Sequence, residues 1–214
     1  MRRNNDKHLL VSITGDIGSG KSSVAAYFRR NNYHVFSADK INHDLLEEHE
    51  IIETLKNEFG DVIIIDGQVN RVVLRNIVFR DNEKLNFLNN FMHPKILDKL
   101  CAEIDNCDDP MKKKSAIFVE VPLLFENKLE EKFDLNILVV ANEAIKKQRI
   151  GTRSDIPAVF VDIIMKHQMP QDLKMQKADI IITNDLDERY LISQIKVVEQ
   201  MVEFLAKKDL CIKD

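Results

Sequence analysis

Five short runs along the chain are almost continuously apolar: residues 9–14, 33–37, 115–121, 135–140 and 179–183. Runs of this length without polar alternation predict strands covered on both faces, as in a parallel sheet. Helical spacing fills the gaps between them. The segment Val24-Ala25-Ala26-Tyr27-Phe28 puts apolar residues on one helical face, and Leu191, Ile195, Val198, Val202 and Leu205 form a stripe over residues 187–207. Asp185, three residues ahead of Glu188, resembles a capping box at the start of that last helix. Strands alternating with helices predict a doubly wound α/β architecture around a five-stranded parallel sheet.

The second and third runs are separated by residues 38–114, far more than one crossover helix needs. Most of the excess reads as helix, over 40–59, 71–79, 82–92 and 94–106, with a break at Asp66-Gly67. This predicts a helical insertion of about 60–106 beside a core built from 9–59, 114–142 and 178–206, all within one domain spanning 9–206. The segment of about 143–170 also reads as helix, broken near Pro157, and fits a lid.

Composition narrows the class without naming a reaction. The 214 residues are 44% apolar and 31% charged, which is ordinary for a soluble globular chain. A net charge of −4 gives no global basic field toward nucleic acid or anionic lipid. The densest basic run, Lys112-Lys113-Lys114, reads as a solvated loop. Cys101, Cys107 and Cys211 form neither a disulfide framework nor a zinc spacing, which fits a reducing compartment. The polar start Met1-Arg2-Arg3-Asn4-Asn5-Asp6 and the early glycines do not fit a signal peptide, and no segment reaches membrane-span length. The expected location is the cytoplasm, without nucleic-acid, membrane or obligate protein partners.

Gly15-Asp16-Ile17-Gly18-Ser19-Gly20-Lys21-Ser22 joins the first strand to the first helix. In that context G-x-x-x-x-G-K-[ST] is a phosphate cradle. Its backbone N–H groups converge on phosphate oxygens, and the helix start adds a positive dipole end. Gly18, Ser19, Gly20, Lys21, Ser22 and Ser23 are the expected ATP-binding residues. Lys21 reaches the β- and γ-phosphates, and the Ser22 hydroxyl ligates Mg²⁺. The chain therefore reads as a nucleoside triphosphate binder with a P-loop NTPase-type core.

Other residues have two readings each. Asp39 follows the second strand, where a carboxylate at the sheet's carboxyl edge can take a proton or assist a metal. It equally fits the N-cap of a helix starting at Lys40. Arg149 and Arg153, four apart on one helical face, suit a transferred phosphoryl group, or a solvated face shared with Lys146 and Lys147. Arg71, Arg75 and Arg80 suit a phosphorylated acceptor or an ordinary amphipathic surface. His93-Pro94 marks a helix start. Packing accounts for Val121-Pro122-Leu123-Leu124-Phe125-Glu126, and the alternative is that Glu120 or Glu126 reaches the site.

Taken in order, these segments resemble dephospho-coenzyme A kinases over about residues 9–205. The P-loop is common to many kinases. More specific are Ser37-Ala38-Asp39-Lys40-Ile41, Asn70-Arg71 through Leu74-Arg75 to Val78-Phe79, His93-Pro94 and the Val121–Glu126 corner. Gln148-Arg149 with Arg153, His167-Gln168-Met169-Pro170, and Lys174 before Ala178-Asp179-Ile180-Ile181-Ile182-Thr183-Asn184 complete the set. The resemblance implies ATP-dependent, Mg²⁺-assisted phosphorylation of the ribose 3′-hydroxyl of dephospho-coenzyme A. It implies Asp39, Lys21 and Arg149 as catalytic residues, with Arg71, Arg75 and His93 toward the acceptor in the helical subdomain. Two positions depart from the family pattern: Asp16 stands where a second glycine is usual, and Ser37 where an aspartate is common. A nucleoside monophosphate kinase shares the cradle and the basic lid. A GTP-driven switch would need an asparagine-lysine-x-aspartate element, whereas Asn127-Lys128-Leu129-Glu130 carries the wrong acid. A non-catalytic ATP-binding module would rest only on Asp16 and Ser37.

Overall fold

Strand β1 (Leu9–Gly15) is buried along its whole length and lies at the centre of the sheet. The computed structural model describes residues 8–107, 113–152, 165 and 168–211. With β2 (Tyr33–Ser37), β5 (Lys113–Glu120), β6 (Leu135–Val140) and β7 (Ile180–Thr183), β1 forms a five-stranded sheet in the order β2-β5-β1-β6-β7. Every pairing is parallel. All five apolar runs are strands because each must be covered on both faces by helices. The chain runs from β1 to β2 in one direction across the sheet and from β5 past β1 to β6 in the other. Such a reversal opens a crevice at the strands' carboxyl ends.

One run starts earlier than its hydrophobicity suggests. Lys113 and Lys114 belong to β5 rather than to a solvated loop, since Lys113 pairs with Tyr33 and the ladder gives its backbone groups partners. Lys112 lies outside the described residues.

Helix α1 (Lys21–Arg30) and the final helix, α8 (Glu188–Cys211), cover the sheet. Val11, Ile13, Val24, Phe28, Phe118, Ile137, Val139, Ile195 and Val202 belong to one buried core. Phe28 stacks on Phe118 at 3.8 Å between ring centroids, with Tyr33 edge-on to both. The cap of α8 differs from the expected one. Asp187, immediately before the first helical residue, accepts the Tyr190 N–H at 2.8 Å. Asp185 instead accepts the Asn142 N–H at 2.5 Å, at the start of helix α6 (Glu143–Gly151). A short helix, α7 (Gln171–Lys177), precedes β7.

Residues 38–106 form a second compact unit. It holds α2 (Ala38–Leu45), α3 (His49–Phe59), the hairpin β3 (Ile64–Ile65) and β4 (Gln68–Val69), α4 (Arg71–Val78) and α5 (Asn82–Asp105). The hairpin turns on Asp66 and Gly67, both at positive φ, as a two-residue turn demands. Two sequence expectations change here. The stretch 40–59 is two helices, because Glu48 is extended and starts α3 afresh. The stretches 82–92 and 94–106 are one helix with Pro94 inside. Proline forfeits one backbone hydrogen bond, and the buried Met92, Leu100 and Ile104 hold the helix together on either side. Asn70 caps α4 by accepting the Val72 and Val73 N–H groups at 3.0 Å each. No helix among the described residues is long and apolar enough to cross a membrane.

Candidate active site

The loop that leaves β1 is shaped by its neighbours. Gly18 has φ +79°, and a Cβ there would lie 2.7 Å from the Lys146 carbonyl oxygen of α6. Gly20 has φ +101°, and a Cβ would collide with the side-chain amide of Asn184. That amide donates to the Ser19 carbonyl at 2.8 Å, so the loop's close approach to the β7–α8 turn requires glycine. Gly20 also sits at the N-cap of α1 and supplies no side chain to it. The first-turn N–H groups of α1 thus form an anion site with the helix dipole behind them. Ser19 Oγ and Thr14 Oγ1 are buried hydroxyls without a hydrogen-bond partner among the described residues.

Two side chains of α1 arm the loop. Lys21 Nζ spans it, donating to the Gly15 and Asp16 carbonyls at 2.8 and 2.9 Å. Ser22 Oγ donates to Glu120 Oε1 at 2.7 Å. Glu120 is the last residue of β5, level with Ile13 of β1 and Ser37 of β2. A hydroxyl beside a carboxylate at the phosphate loop offers the hard oxygen donors that would suit Mg²⁺. No cluster of three His, Cys, Asp or Glu residues is present among the described residues, and Mg²⁺ needs none.

Asp16 does not face the cradle. Its carboxylate is buried between two lysines, with Oδ2 2.6 Å from Lys146 Nζ and Oδ1 2.9 Å from Lys174 Nζ. Lys174, 0% exposed, also reaches Glu126 Oε1 at 2.7 Å, and Lys146 reaches Gln171 Oε1 at 3.1 Å. Burial alone would raise the Asp16 pKa, but hydrogen bonds and charge from the two lysines outweigh it and hold the group below its ordinary value. Next to it, the Ile17 N–H donates to Gln168 Oε1 at 3.1 Å. Lys146 is therefore not part of a solvated face.

Arg149 is engaged as well. Its guanidinium donates to the Gly18 and Ser19 carbonyls at 3.4 Å each and to the Asn184 carbonyl at 2.9 Å. A residue on a merely solvated face would not grip the loop. Arg153 and His167 lie outside the described residues, as does much of 143–170. Ser23 follows Ser22 on α1 and is exposed.

The remaining candidates belong to the unit of residues 38–106. Asp39 lies within the first turn of α2, which starts at Ala38, so it is not the cap of a helix starting at Lys40. Arg71 opens α4 and is exposed. Arg75, one turn further, has a buried Nη1 without a partner among the described residues, and so does Asn76 Oδ1. His93 lies inside α5, where burial lowers its pKa and keeps it neutral at pH 7.

Some of the site was faint in the sequence. Glu120 carried one signal, an acid closing a buried strand. Lys174, Gln168 and Asn184 carried none beyond the family resemblance, and Lys146 read only as part of a solvated helix face, because their partners lie far along the chain.

A glycine loop spanned by Lys21, with Ser22 beside a carboxylate at the head of α1, is the geometry of a P-loop nucleotide-binding core. A family model described as dephospho-CoA kinase matches residues 9–189. The chain belongs to the dephospho-CoA kinase family. It is similar to the dephospho-CoA kinase of Bartonella quintana, 34% identical over 195 residues that make up 91% of this chain and 98% of that one. A crystal structure of a Thermus thermophilus protein matches with TM-score 0.78 and 30% identity, over 90% of this chain and 97% of the other. The dephospho-CoA kinase of Campylobacter jejuni matches with TM-score 0.67 and 27% identity, over 92% and 98%.

Proposed function

We propose that this chain transfers the γ-phosphoryl group of ATP to the ribose 3′-hydroxyl of dephospho-CoA, giving CoA and ADP, the last step of CoA synthesis. The ribose O3′ forms a bond to the γ-phosphorus, and the bond from that phosphorus to the β–γ bridging oxygen breaks. The 3′-hydroxyl proton passes to the Asp39 carboxylate. The observation that carries this reading is the family match across a chain whose Ser22–Glu120 pair and Lys21 stand at the phosphate loop.

Little covalent work falls to the protein, so positioning and charge supply most of the rate. The loop N–H groups and α1 hold the triphosphate, and Lys21 exchanges its carbonyl contacts for β- and γ-oxygens. Ser22 and Glu120 would hold Mg²⁺, which would supply positive charge against the developing phosphate charge. Arg149, seated on the loop, supports the transferred group from the loop's flank. Arg71, Arg75 and neutral His93 contact the acceptor, a role supported by Arg75 Nη1, which has no partner among the described residues. ATP and dephospho-CoA are the only partners this chemistry needs, in a cytoplasmic setting.

Asp39→Asn keeps the side chain's shape but cannot take the proton. Losing such a preorganised group costs on the order of a hundredfold in turnover. The expected result is that loss with ATP affinity kept, and near-normal turnover would remove Asp39 from the base role. ATP consumption against dephospho-CoA, nucleoside monophosphates and shikimate should show preference for the first. A preference for nucleoside monophosphates would replace this reading.

A further inference from the structure

We propose that Asp16 is a positioning residue for ATP: its carboxylate, clamped between Lys146 and Lys174, fixes the backbone from which Lys21 and the loop present their charge to the triphosphate. Two sets of contacts meet at this residue. Its side chain is tied to α6 through Lys146 and to α7 through Lys174. Its carbonyl receives Lys21 Nζ at 2.9 Å and the Ser19 N–H at 3.1 Å. A carboxylate held by two buried cations leaves the Asp16 peptide little freedom to turn. The carbonyl that closes the loop's inner turn, and that receives Lys21 until the nucleotide takes its place, is thereby held in position. The adjoining Ile17 N–H, bound to Gln168, pins the loop on the same side.

The charge balance makes the residue necessary rather than incidental. Asp16 and the partly buried Glu126 oppose the buried Lys146 and Lys174, so the four side chains sum to zero. Without the Asp16 carboxylate, Lys146 keeps only Gln171 Oε1 among its described polar contacts, and a buried ammonium without a counter-charge is strongly destabilising. Stability and positioning are thus two separable consequences of one carboxylate.

Separating them is the test. The inference rests on the proposed ATP site, so ATP–Mg²⁺ and dephospho-CoA binding are each measured directly by calorimetry, apart from turnover. Asp16→Ala should lower the melting temperature and weaken ATP binding. Adding Lys146→Met removes the stranded charge and should restore the melting temperature. It should leave the ATP dissociation constant roughly tenfold above the parent's, with dephospho-CoA binding unchanged, because a displaced catalytic scaffold loses affinity without unfolding. ATP affinity returning to the parent value in the double variant would overturn the proposal, leaving Asp16 a charge partner alone. Equal weakening of both substrates would overturn it too. Should Asp16→Ala not fold, Asp16→Asn decides: it places an amide against a lysine and should weaken ATP binding selectively, and parental affinity there sinks the idea. A chain that binds ATP but never phosphorylates dephospho-CoA would defeat the functional reading while this comparison still stands.

Discussion

Ser22 Oγ donates to Glu120 Oε1 at 2.7 Å, so the hydroxyl of the proposed metal site is oriented by a carboxylate. Glu120→Gln keeps the hydrogen-bonding shape and removes the charge. We expect its turnover to fall about a hundredfold at limiting Mg²⁺ and to recover partly at high Mg²⁺, since one electrostatic contact of this kind is worth ~3 kcal/mol. Titrating Mg²⁺ at saturating ATP checks this, and an unchanged Mg²⁺ dependence would confine Glu120 to holding Ser22. At this scale the sequence was readable where spacing alone dictates chemistry. Gly18, Gly20, Lys21 and Ser22 follow from one local motif and one steric requirement. Asp16 was not readable, because its partners sit 130 and 158 residues away.

The elements were legible in proportion to how fully they are buried. The five strands are apolar runs because both faces are covered, and four of them begin and end within a residue of the expected bounds. The exception, β5, starts in lysines that hydrophobicity cannot assign to a ladder. Helix breaks were harder, since Pro94 suggested a stop that packing overrides and Glu48 a break that periodicity hides. Helix α8 also grips the core through hydroxyls: Tyr27 of α1 donates to Glu199 at 2.9 Å, and Tyr33 of β2 donates to Glu203 at 2.8 Å. Burial, reinforced by the glutamates, raises both phenol pKa values, Tyr27 to about 12 and Tyr33 further. The folded state then holds protons that the unfolded chain has released above pH ~10, so stability falls as pH rises from there through about 12. Replacing both by Phe should lower the neutral-pH melting temperature by several degrees, at about 1 kcal/mol per hydrogen bond. It should also flatten the alkaline decline. Thermal melts from pH 8 to 12 measure this, and an equally steep decline in the variant would rule out the tyrosines as its source.

Across the whole chain, family membership rests on matches that span most of its length. Lys146 and Lys174 reach Asp16 from separate segments and Glu126 pairs with Lys174, which is why a position unusual for the family is internally balanced. The central claim is that a phosphate loop with its metal-holding pair drives phosphoryl transfer to one hydroxyl of one acceptor. Incubating the purified chain with ATP, Mg²⁺ and dephospho-CoA and resolving the product by mass and fragmentation tests it most directly. The account predicts ADP and an acceptor heavier by one phosphoryl group, placed on the ribose 3′-oxygen. An unmodified acceptor, or a phosphoryl group found on any other atom, would contradict it.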